Sequence, residues 1–281
     1  MKYANCHFHS THSDGAFRPM HLARLAYGAG YRAVVLTDHD VMSGTTEMLR
    51  EAKNLGLEAL AGVEITCRIP EQGFHLVGLG LDPETPALKA FIDQLCDWRN
   101  VHTRTLFDRG VRLGLLKDIT WEEVEAYNPG CRWFCNEQVF HAMELKGVFD
   151  ILEQNKYFHL VFQGSFAAQL GIHIQEPTAA EAIGMIRKAG GIPILAHPHH
   201  QAKYIPELVD LGLLGVEVCH PDLDPEDERL AREAADAFGL YRSGGSDHSG
   251  ILGGCCLPHT GESFWGVTEE DFHAMMYRTG K

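Results

Sequence analysis

Short apolar segments typical of buried strands alternate with segments typical of helices along most of this chain. Pro19 favours the start of a helix that reaches Ala29, because proline is tolerated at the first helical position. Ser43 is predicted to cap a second helix that ends near Leu55, just before Gly56. Repeated alternation of this kind implies parallel strand pairing with right-handed crossover connections. The sequence therefore predicts an α/β fold.

The predicted strands form an early and a late set. The early strands cover residues 3–7, 31–38, 58–65 and 74–79, and the late ones contain the sequences GIPILAH, GVEVC and GLYRSGGSD. Helices are predicted between the late strands, and Thr268 is predicted to cap the last helix. Between the two sets, residues 88–174 have a mostly helical pattern and lack the strand and helix rhythm. We expect residues 1–87 and 175–281 to form one domain and residues 88–174 to be a helical insertion.

Side chains that can bind metal ions stand at or near the carboxyl end of almost every predicted strand. They are His7, His9, Asp38, His39, Glu64, His75, His197, Glu217, Asp247 and His248. In a parallel α/β barrel the carboxyl ends of the strands converge on one face, so residues far apart in sequence meet there. The pattern predicts one dense site.

The residue types indicate which ions the site can hold. Neutral imidazole and carboxylate suit zinc, manganese and iron, and the lack of a thiolate cluster argues against a closed structural zinc site. His7 and His9 lie two residues apart, so they point the same way from a strand and can hold one ion. A carboxylate such as Glu64 could bridge two ions, and paired ions activate water for attack on a phosphoryl group. Hydrolysis of a phosphate ester with two or three divalent ions is the leading inference.

Each of these residues also has an ordinary structural explanation. A His-x-His pair is common without a metal, Asp14 fits a turn, and Asp38 or Asp40 could cap the following helix. His75 could be a packed core histidine, and Glu217 could be a buried acid that supports a ligand without binding the ion. Independent coincidences would not all fall at strand ends, and this shared placement favours the metal site.

The overall charge limits the partners of this 281-residue chain. Lys and Arg number 24 against 38 Asp and Glu, a net charge of −14, and no basic run is present, which disfavours stable binding of nucleic acid. No segment approaches the roughly 18 apolar residues of a membrane helix, and no leader pattern is seen, so we expect a cytoplasmic protein without membrane contact. The eight cysteines include no CxxC pair and are expected to be reduced. The sequence assigns no oligomeric state.

Six motifs occur in order on both sides of the insertion: HFHSTHSDG, LTDHD, GVEIT, FHLVGLG, AHP and GGSDH. Together they resemble the PHP (polymerase and histidinol phosphatase) family, in particular its stand-alone metal-dependent phosphoesterases that act on nucleoside 3',5'-bisphosphates or cyclic phosphates. The resemblance implies a distorted (β/α)7 barrel with up to three Mn, Fe or Zn ions and with the helical insertion as a cap. It also implies a set of metal ligands in which Glu64 is a bridge: His7, His9, Asp14, His39, Glu64, His75, His197 and Asp247.

Two positions depart from the family pattern. Relatives commonly end the last motif as Asp-x-His, whereas here Asp247 is followed directly by His248. Relatives also tend to carry Arg-x-His in the insertion, where this chain has Asn136 and Gln138, and the nearest arginine is Arg132. Arg132 is either a phosphate contact or a solvated loop charge.

The remaining candidates surround the predicted metal ligands. Three residues are predicted to be catalytic: Asp38, His199 and His220. One of the two histidines, at the rim of the site, would protonate the leaving oxygen. Three residues are predicted to bind substrate: Arg132, His200 and His248.

We therefore expect a phosphoesterase that hydrolyses a small phosphorylated metabolite with a metal-activated hydroxide. The substrate would be a nucleoside bisphosphate, a sugar phosphate or a cyclic phosphate. Two other functions fit the sequence less well. An exonuclease on short oligonucleotides would need a basic or aromatic groove, which the sequence does not show. A noncatalytic metal-binding domain would have lost several ligands.

Overall fold

Two open sheets form the framework of the protein in the computed structural model, which describes residues 3–163, 167, 171–247 and 265–280. The first sheet has three short parallel strands: β1 (Ala4–Asn5), β2 (Ala33–Val34) and β3 (Glu58–Ala59). The second has five strands in sequential order: β4 (Gly62–Ile69), β5 (Gln72–Leu79), β6 (Ile192–Leu195), β7 (Gly215–Glu217) and β8 (Tyr241–Ser243). The predicted α/β class is confirmed.

Strand pairing in the second sheet changes direction. β4 pairs with β5 and β5 with β6 in antiparallel orientation, whereas β6, β7 and β8 are parallel. Our expectation of parallel pairing is therefore wrong for the first three strands. Only Pro70 and Glu71 separate β4 from β5, and a parallel pair would need a crossover of about a dozen residues. The strands in the described part of the chain do not close into the expected barrel.

The two sheets meet at residues of the predicted site. His39 forms an isolated parallel bridge with Glu64 of β4. The backbone N–H of Asp40 donates to the carbonyl of Glu64 at 2.7 Å, and the N–H of Glu64 donates to the carbonyl of Asp38 at 3.2 Å. A backbone seam formed by residues 38–40 and Glu64 thus joins the sheets on one side. On the other side, after β1 and β8, the N–H of Cys6 donates to the carbonyl of Gly244 and the N–H of Asp247 to that of His7.

Helices cover the sheets and fill the insertion. They are α1 (Pro19–Ala29), α2 (Thr45–Leu55), α3 (Pro86–Arg112), α4 (Trp121–Tyr127), α5 (Asn136–Leu145), α6 (Gln154–Tyr157), α7 (Ala179–Lys188), α8 (Ile205–Asp210), α9 (Pro225–Phe238) and α10 (Glu269–Thr279). Thr268 caps α10, as predicted, by accepting a hydrogen bond from the N–H of Asp271. Ser43 does not cap α2; its hydroxyl instead lies 2.8 Å from Nδ1 of His12.

The helical insertion has an apolar cluster of its own. Leu106, Phe107, Val139, Phe140 and Val161 belong to this cluster, and each is at most 2% exposed. The sheet strands and their flanking helices build the other clusters of the described core. The described part of this segment is mostly helical. Across the described residues, no helix combines the length and apolarity needed to cross a membrane.

Candidate metal centre

One oxygen of the buried Glu64 carboxylate faces a first group of ligand atoms. Its Oε2 lies 3.1 Å from Nε2 of His7 and 3.3 Å from Nε2 of His9. Asp247 completes this group, because its Oδ1 lies 2.8 Å from Nε2 of His9 and 3.7 Å from Nε2 of His7. These residues follow β1, lie on β4 and follow β8, so the fold gathers them from distant parts of the chain.

The other oxygen of Glu64 faces a second group. Its Oε1 lies 3.1 Å from Nδ1 of His75 and 3.0 Å from Nε2 of His197. These two ring nitrogens are 3.2 Å apart, so the three atoms form a nearly equilateral triangle. Two ligands of one tetrahedral ion lie about 3.4 Å apart when each bond is about 2.1 Å. The two oxygens of Glu64 thus face separate groups, as those of a bridging carboxylate would.

Asp14 and His39 lie beside the first group. The Oδ1 of Asp14 is 3.5 Å from Nδ1 of His9, and its Oδ2 is 3.7 Å from Nε2 of His39. The ring of His39 stacks on the ring of His9 and also on that of Trp133, with centroid distances of 4.5 and 5.8 Å. The structure therefore brings all the predicted metal ligands into one cluster.

The ring nitrogens of this cluster supply the test of whether an ion fits. The Nε2 of His7, both ring nitrogens of His9 and the Nδ1 of His39 are buried without a hydrogen-bond partner. Carboxylate oxygens nevertheless lie 2.8 to 3.5 Å from each of them. Buried polar groups normally form hydrogen bonds. These nitrogen and oxygen atoms are close together but are not aligned for a hydrogen bond, which is the arrangement of ligands that converge on a common ion. This imidazole and carboxylate set fits Mn, Fe or Zn.

Electrostatic contacts in the cluster shift several pKa values. Burial raises the pKa of the Glu64 carboxyl, but His39, His7 and other histidines outweigh this effect, so its pKa lies well below the usual value. Burial lowers the pKa of His9, but Asp14 and other nearby carboxylates raise it to about 9. Burial is the main reason why the pKa of His39 falls to about 4. Glu64 is therefore ionised at neutral pH, and a bound cation would displace the proton of His9.

The backbone of the site contains conformations that side chains seldom adopt. Of five described non-glycine residues with positive φ, four lie here: Asp40 at 51°, His197 at 26°, His200 at 56° and Asp247 at 46°. Each such conformation costs about 1–3 kcal/mol and persists only where surrounding contacts impose it. Strain of this kind is concentrated at functional sites.

Glu217, at the end of β7, contacts two of the predicted ligands. Its Oε1 lies 2.9 Å from Nδ1 of His7, and its Oε2 accepts a hydrogen bond from the backbone N–H of His197 at 2.8 Å. A carboxylate at Nδ1 fixes the tautomer of a histidine and leaves Nε2 free for an ion. These contacts favour the interpretation of Glu217 as a buried supporting acid.

The carboxylate of Asp38 accepts hydrogen bonds from the loop that follows β1. Its Oδ1 accepts hydrogen bonds from the N–H of Ser10 at 2.6 Å and the hydroxyl of Ser13 at 2.8 Å. Its Oδ2 accepts a third from the hydroxyl of Ser10 at 2.7 Å, and the residue is 1% exposed. These contacts position the loop that carries Asp14, and the catalytic role of Asp38 stays a prediction.

The other predicted residues lie in different surroundings. Arg132 forms a surface ion pair with Asp93 at 2.8 Å, and both side chains are more than half exposed, which favours the solvated-charge interpretation over a phosphate contact. His220 is 1% exposed with Nε2 3.3 Å from Oδ2 of Asp247, and not at the rim where we expected it. His248 lies outside the described residues.

Asp227, on α9, is a site residue that the sequence analysis missed. Its Oδ2 lies 2.6 Å from Nδ1 of His199, and its Oδ1 accepts a hydrogen bond from the N–H of His200 at 2.9 Å. Asp227 is almost fully buried, whereas the side chains of His199 and His200 are 50% and 72% exposed. A buried acid therefore holds an exposed imidazole. The sequence offered no signal for this pairing, since position 227 looks like any acid in a first helical turn.

Three curated relatives align with most of the chain. The phosphoribosyl 1,2-cyclic phosphate 1,2-diphosphodiesterase of Eggerthella lenta is 28% identical over 259 residues, which cover 91% of this chain and 96% of the relative. The 3',5'-nucleoside bisphosphate phosphatase of Chromobacterium violaceum is 27% identical over 275 residues, 92% of each chain. The 5'-3' exoribonuclease of Haemophilus influenzae is 29% identical over 257 residues, 88% of this chain and 89% of the relative.

A solved structure and a family comparison agree with this similarity. A provisional metal-dependent phosphoesterase of Bifidobacterium adolescentis superposes with a TM-score of 0.83 at 24% identity, covering 99% of this chain and 96% of the other, which shows a shared fold. The PHP domain family matches residues 5–162, more than half of the chain. That range contains six of the clustered ligands: His7, His9, Asp14, His39, Glu64 and His75. The chain belongs to the PHP domain family.

Proposed function

We propose that this protein hydrolyses phosphoric ester bonds in a small phosphorylated metabolite. The observation that carries the proposal is the Glu64 carboxylate, whose two oxygens face two separate groups of histidine nitrogens at 3.0 to 3.3 Å. The relatives from E. lenta and C. violaceum support the same reaction class, since they are named as a diphosphodiesterase and a phosphatase.

Two or three Mn, Fe or Zn ions are the expected cofactors. His7, His9 and Asp247 would hold one ion, His75 and His197 a second, and Glu64 would lie between them. Asp14 and His39 would hold a third. When bound, such ions offset the charge of the phosphate oxygens and lower the pKa of water towards about 7.

His199 would act on the leaving group. It lies two residues beyond His197, its side chain is half exposed, and its Nδ1 lies 2.6 Å from Oδ2 of the buried Asp227. A carboxylate at one ring nitrogen orients the imidazole, and a positioned histidine can donate a proton to a leaving alkoxide. The exposed His200 beside it remains a candidate for substrate contact.

The domain arrangement is part of the proposal. Residues 1–87 and 175–281 would form one domain with the fold of the family, and residues 88–174 its cap. Three contacts support a cap that lies against the site. The side-chain amide of Gln138 donates to the carbonyl of Ser13, Trp133 stacks on His39, and Sγ of Cys131 lies 3.8 Å from the carbonyl of His12.

A second candidate function is the removal of nucleotides from short oligonucleotides. It is favoured by the similarity to the H. influenzae protein, which is named as an exoribonuclease. The net charge of −14 disfavours a long polyanionic substrate. A noncatalytic metal-binding role is disfavoured because all eight predicted metal ligands lie in one cluster, even though the last motif and the insertion depart from the family pattern.

Phosphate release from a panel of substrates tests the proposal. Purified protein loaded separately with Mn, Fe or Zn would be assayed with adenosine 3',5'-bisphosphate, ribose 5-phosphate, a ribose cyclic phosphate and a short 5'-phosphorylated oligoribonucleotide. We expect hydrolysis of at least one small ester, lost in Glu64→Gln and retained in the control Glu71→Gln, which alters an exposed carboxylate in the turn after β4. Metal-loaded protein that cleaves none of the small esters would refute the proposal, and cleavage of the oligonucleotide alone would establish the second candidate.

A further inference from the structure

The side chain of His220 is fully buried against the ligand cluster, although the residue is outside the predicted ligand set. It follows the end of β7 by three residues. Its ring centroid lies 5.4 Å from that of His7 and 5.2 Å from that of His197. A ring in this place can be a further metal ligand, a hydrogen-bond donor or packing material. The contacts of its two nitrogens distinguish these roles.

The Nδ1 atom of His220 is a hydrogen-bond acceptor. The backbone N–H of Asp222 donates to it at 3.1 Å, and a backbone N–H can only donate. The N–H of Leu223 donates to the carbonyl of His220 at 3.2 Å, so a turn holds the chain in this conformation. A neutral imidazole carries its proton on only one nitrogen. Because Nδ1 accepts, the proton of His220 is on Nε2.

His7 has the opposite arrangement. Its Nδ1 lies 2.9 Å from a carboxylate oxygen of Glu217, which favours the proton on Nδ1 and leaves the lone pair of Nε2 for an ion. His220 lies close enough to His7 and Glu217 to hold an ion with them. A protonated Nε2 has no lone pair to offer, however. His220 is therefore a donor beside the metal centre and not one of its ligands.

The carboxylate of Asp247 lies within reach of this donor. Its Oδ2 is 3.3 Å from Nε2 of His220, whereas its Oδ1 is 2.8 Å from Nε2 of His9. The Nε2 of His220 is buried and has no aligned hydrogen-bond partner among the described residues. A buried N–H without a partner is costly. A small rotation of the Asp247 carboxylate would supply one.

We propose that His220 is a positioning residue, whose Nε2–H donates to Oδ2 of Asp247 and so directs Oδ1 towards the ion shared with His7 and His9. Groups that hydrogen-bond to a ligating carboxylate orient it in this way. Asp247 has a positive φ of 46°, a conformation that persists only where surrounding contacts impose it. The inference rests on the metal centre of the proposed function, because it assigns the group that orients one ligand.

Two substitutions separate the roles of the two ring nitrogens. His220→Gln places an amide N–H near the position of Nε2 and keeps a donor to Asp247. His220→Asn is shorter; its amide oxygen can accept from the N–H of Asp222, but the donor is lost. We expect affinity for Mn, measured by chelator competition, to fall about 10–100-fold in His220→Asn and much less in His220→Gln. His21→Asn, at an exposed position on α1, is the control and should bind Mn as the wild type does.

Nitrogen NMR of protein with isotope-labelled histidine rings reports the proton directly. In Zn-loaded wild type we expect His220 to be protonated at Nε2 and not at Nδ1, with its signals assigned by their absence in His220→Gln. A Zn-bound Nε2 would overturn the inference. Unchanged Mn affinity in His220→Asn, or a loss in His220→Gln that equals or exceeds that in His220→Asn, would overturn it as well.

Neither measurement depends on hydrolysis, so the inference and the proposed function can fail separately. Protein that gives the expected affinities and ring protonation but cleaves no ester would refute the proposed function and retain the role of His220. Protein that cleaves a small ester while His220→Asn binds Mn normally would retain the function and reject that role. Circular dichroism of each variant checks that the fold is intact.

Discussion

The carboxylate of Glu217 lies 2.9 Å from Nδ1 of His7, and both side chains are fully buried. The opposite ring nitrogen of His7 faces Glu64 at 3.1 Å. The histidine is therefore held between an acid that orients it and an acid that would share its ion. Contacts of this kind fix the ring orientation and raise the basicity of a ligand.

Replacement of this orienting acid should weaken metal binding. Glu217→Gln removes the negative charge beside Nδ1, and we expect a loss of about 10–100-fold in affinity for Mn. Competition with a chelator of known affinity measures the change. Glu207→Gln, an exposed position on α8, should bind Mn as the wild type does. Equal affinity in Glu217→Gln and wild type would show that His7 needs no such support.

Loss of the contact between Asp227 and His199 should reduce kcat most on substrates with poor leaving groups. Asp227→Asn removes the carboxylate that orients His199, and general acid catalysis contributes about 10²–10⁴-fold. We expect kcat on a ribose phosphate to fall at least tenfold more than kcat on p-nitrophenyl phosphate. Asp236→Asn, on the exposed side of the same helix, is the control. Equal losses on both substrates would remove His199 from the reaction.

Removal of the metal should destabilise the fold. Glu64, Asp14 and Asp247 are held close together, and without an ion the histidines alone offset their charge. A ligand at 100 times its Kd stabilises the folded state by about 2.7 kcal/mol. Chelation should therefore lower Tm, and added Mn should restore it. Glu64→Gln should show a smaller response to Mn, and a full response in that variant would contradict the bridging assignment.

His102 should make the protein less stable in mild acid. Its pKa is lowered to about 4, first by burial and then by Arg99, whereas an unfolded histidine has a pKa of about 6.5. As pH falls from 6.5 towards 4, the unfolded chain binds a proton that the folded protein does not, so the free energy of unfolding decreases. Urea denaturation at pH 7 and pH 5 should show a smaller decrease in His102→Asn than in wild type. The exposed control His159→Asn should behave like wild type.

The ligand cluster could be predicted because several of its members follow strands. His7 and His197 come shortly after β1 and β6, and the carboxyl ends of strands meet whatever the lengths of the connections. Glu64 and His75 instead lie within β4 and β5. The antiparallel hairpin of β4 and β5 was open to prediction, because residues 66–73, between the predicted strands, are too few for a crossover connection. The alternation of strands and helices elsewhere nevertheless favoured parallel pairing. The alternation pattern predicted parallel strands at this place, whereas the short connection requires the antiparallel pair that the structure shows.

The supporting residues could not be predicted in the same way. Arg132 lies close to the family's arginine motif in sequence, yet it contacts Asp93 at the surface. Asp227 lies within a helix, where a charged residue has no distinctive spacing, and its importance arises from its contact with His199. Contacts of this kind depend on how helices pack against the sheets, which no local pattern encodes.

The backbone seam between His39 and Glu64 has a mechanical consequence. Both residues belong to the ligand cluster. An ion held there would therefore strengthen the contact between the two sheets at a place where few backbone hydrogen bonds connect them. The metal centre would then stabilise the fold as well as take part in the reaction. Once the ion is removed, amide hydrogens on residues 38–40 and 64 should exchange with solvent faster than those in the strand interiors. Hydrogen exchange at these backbone positions would then report metal binding.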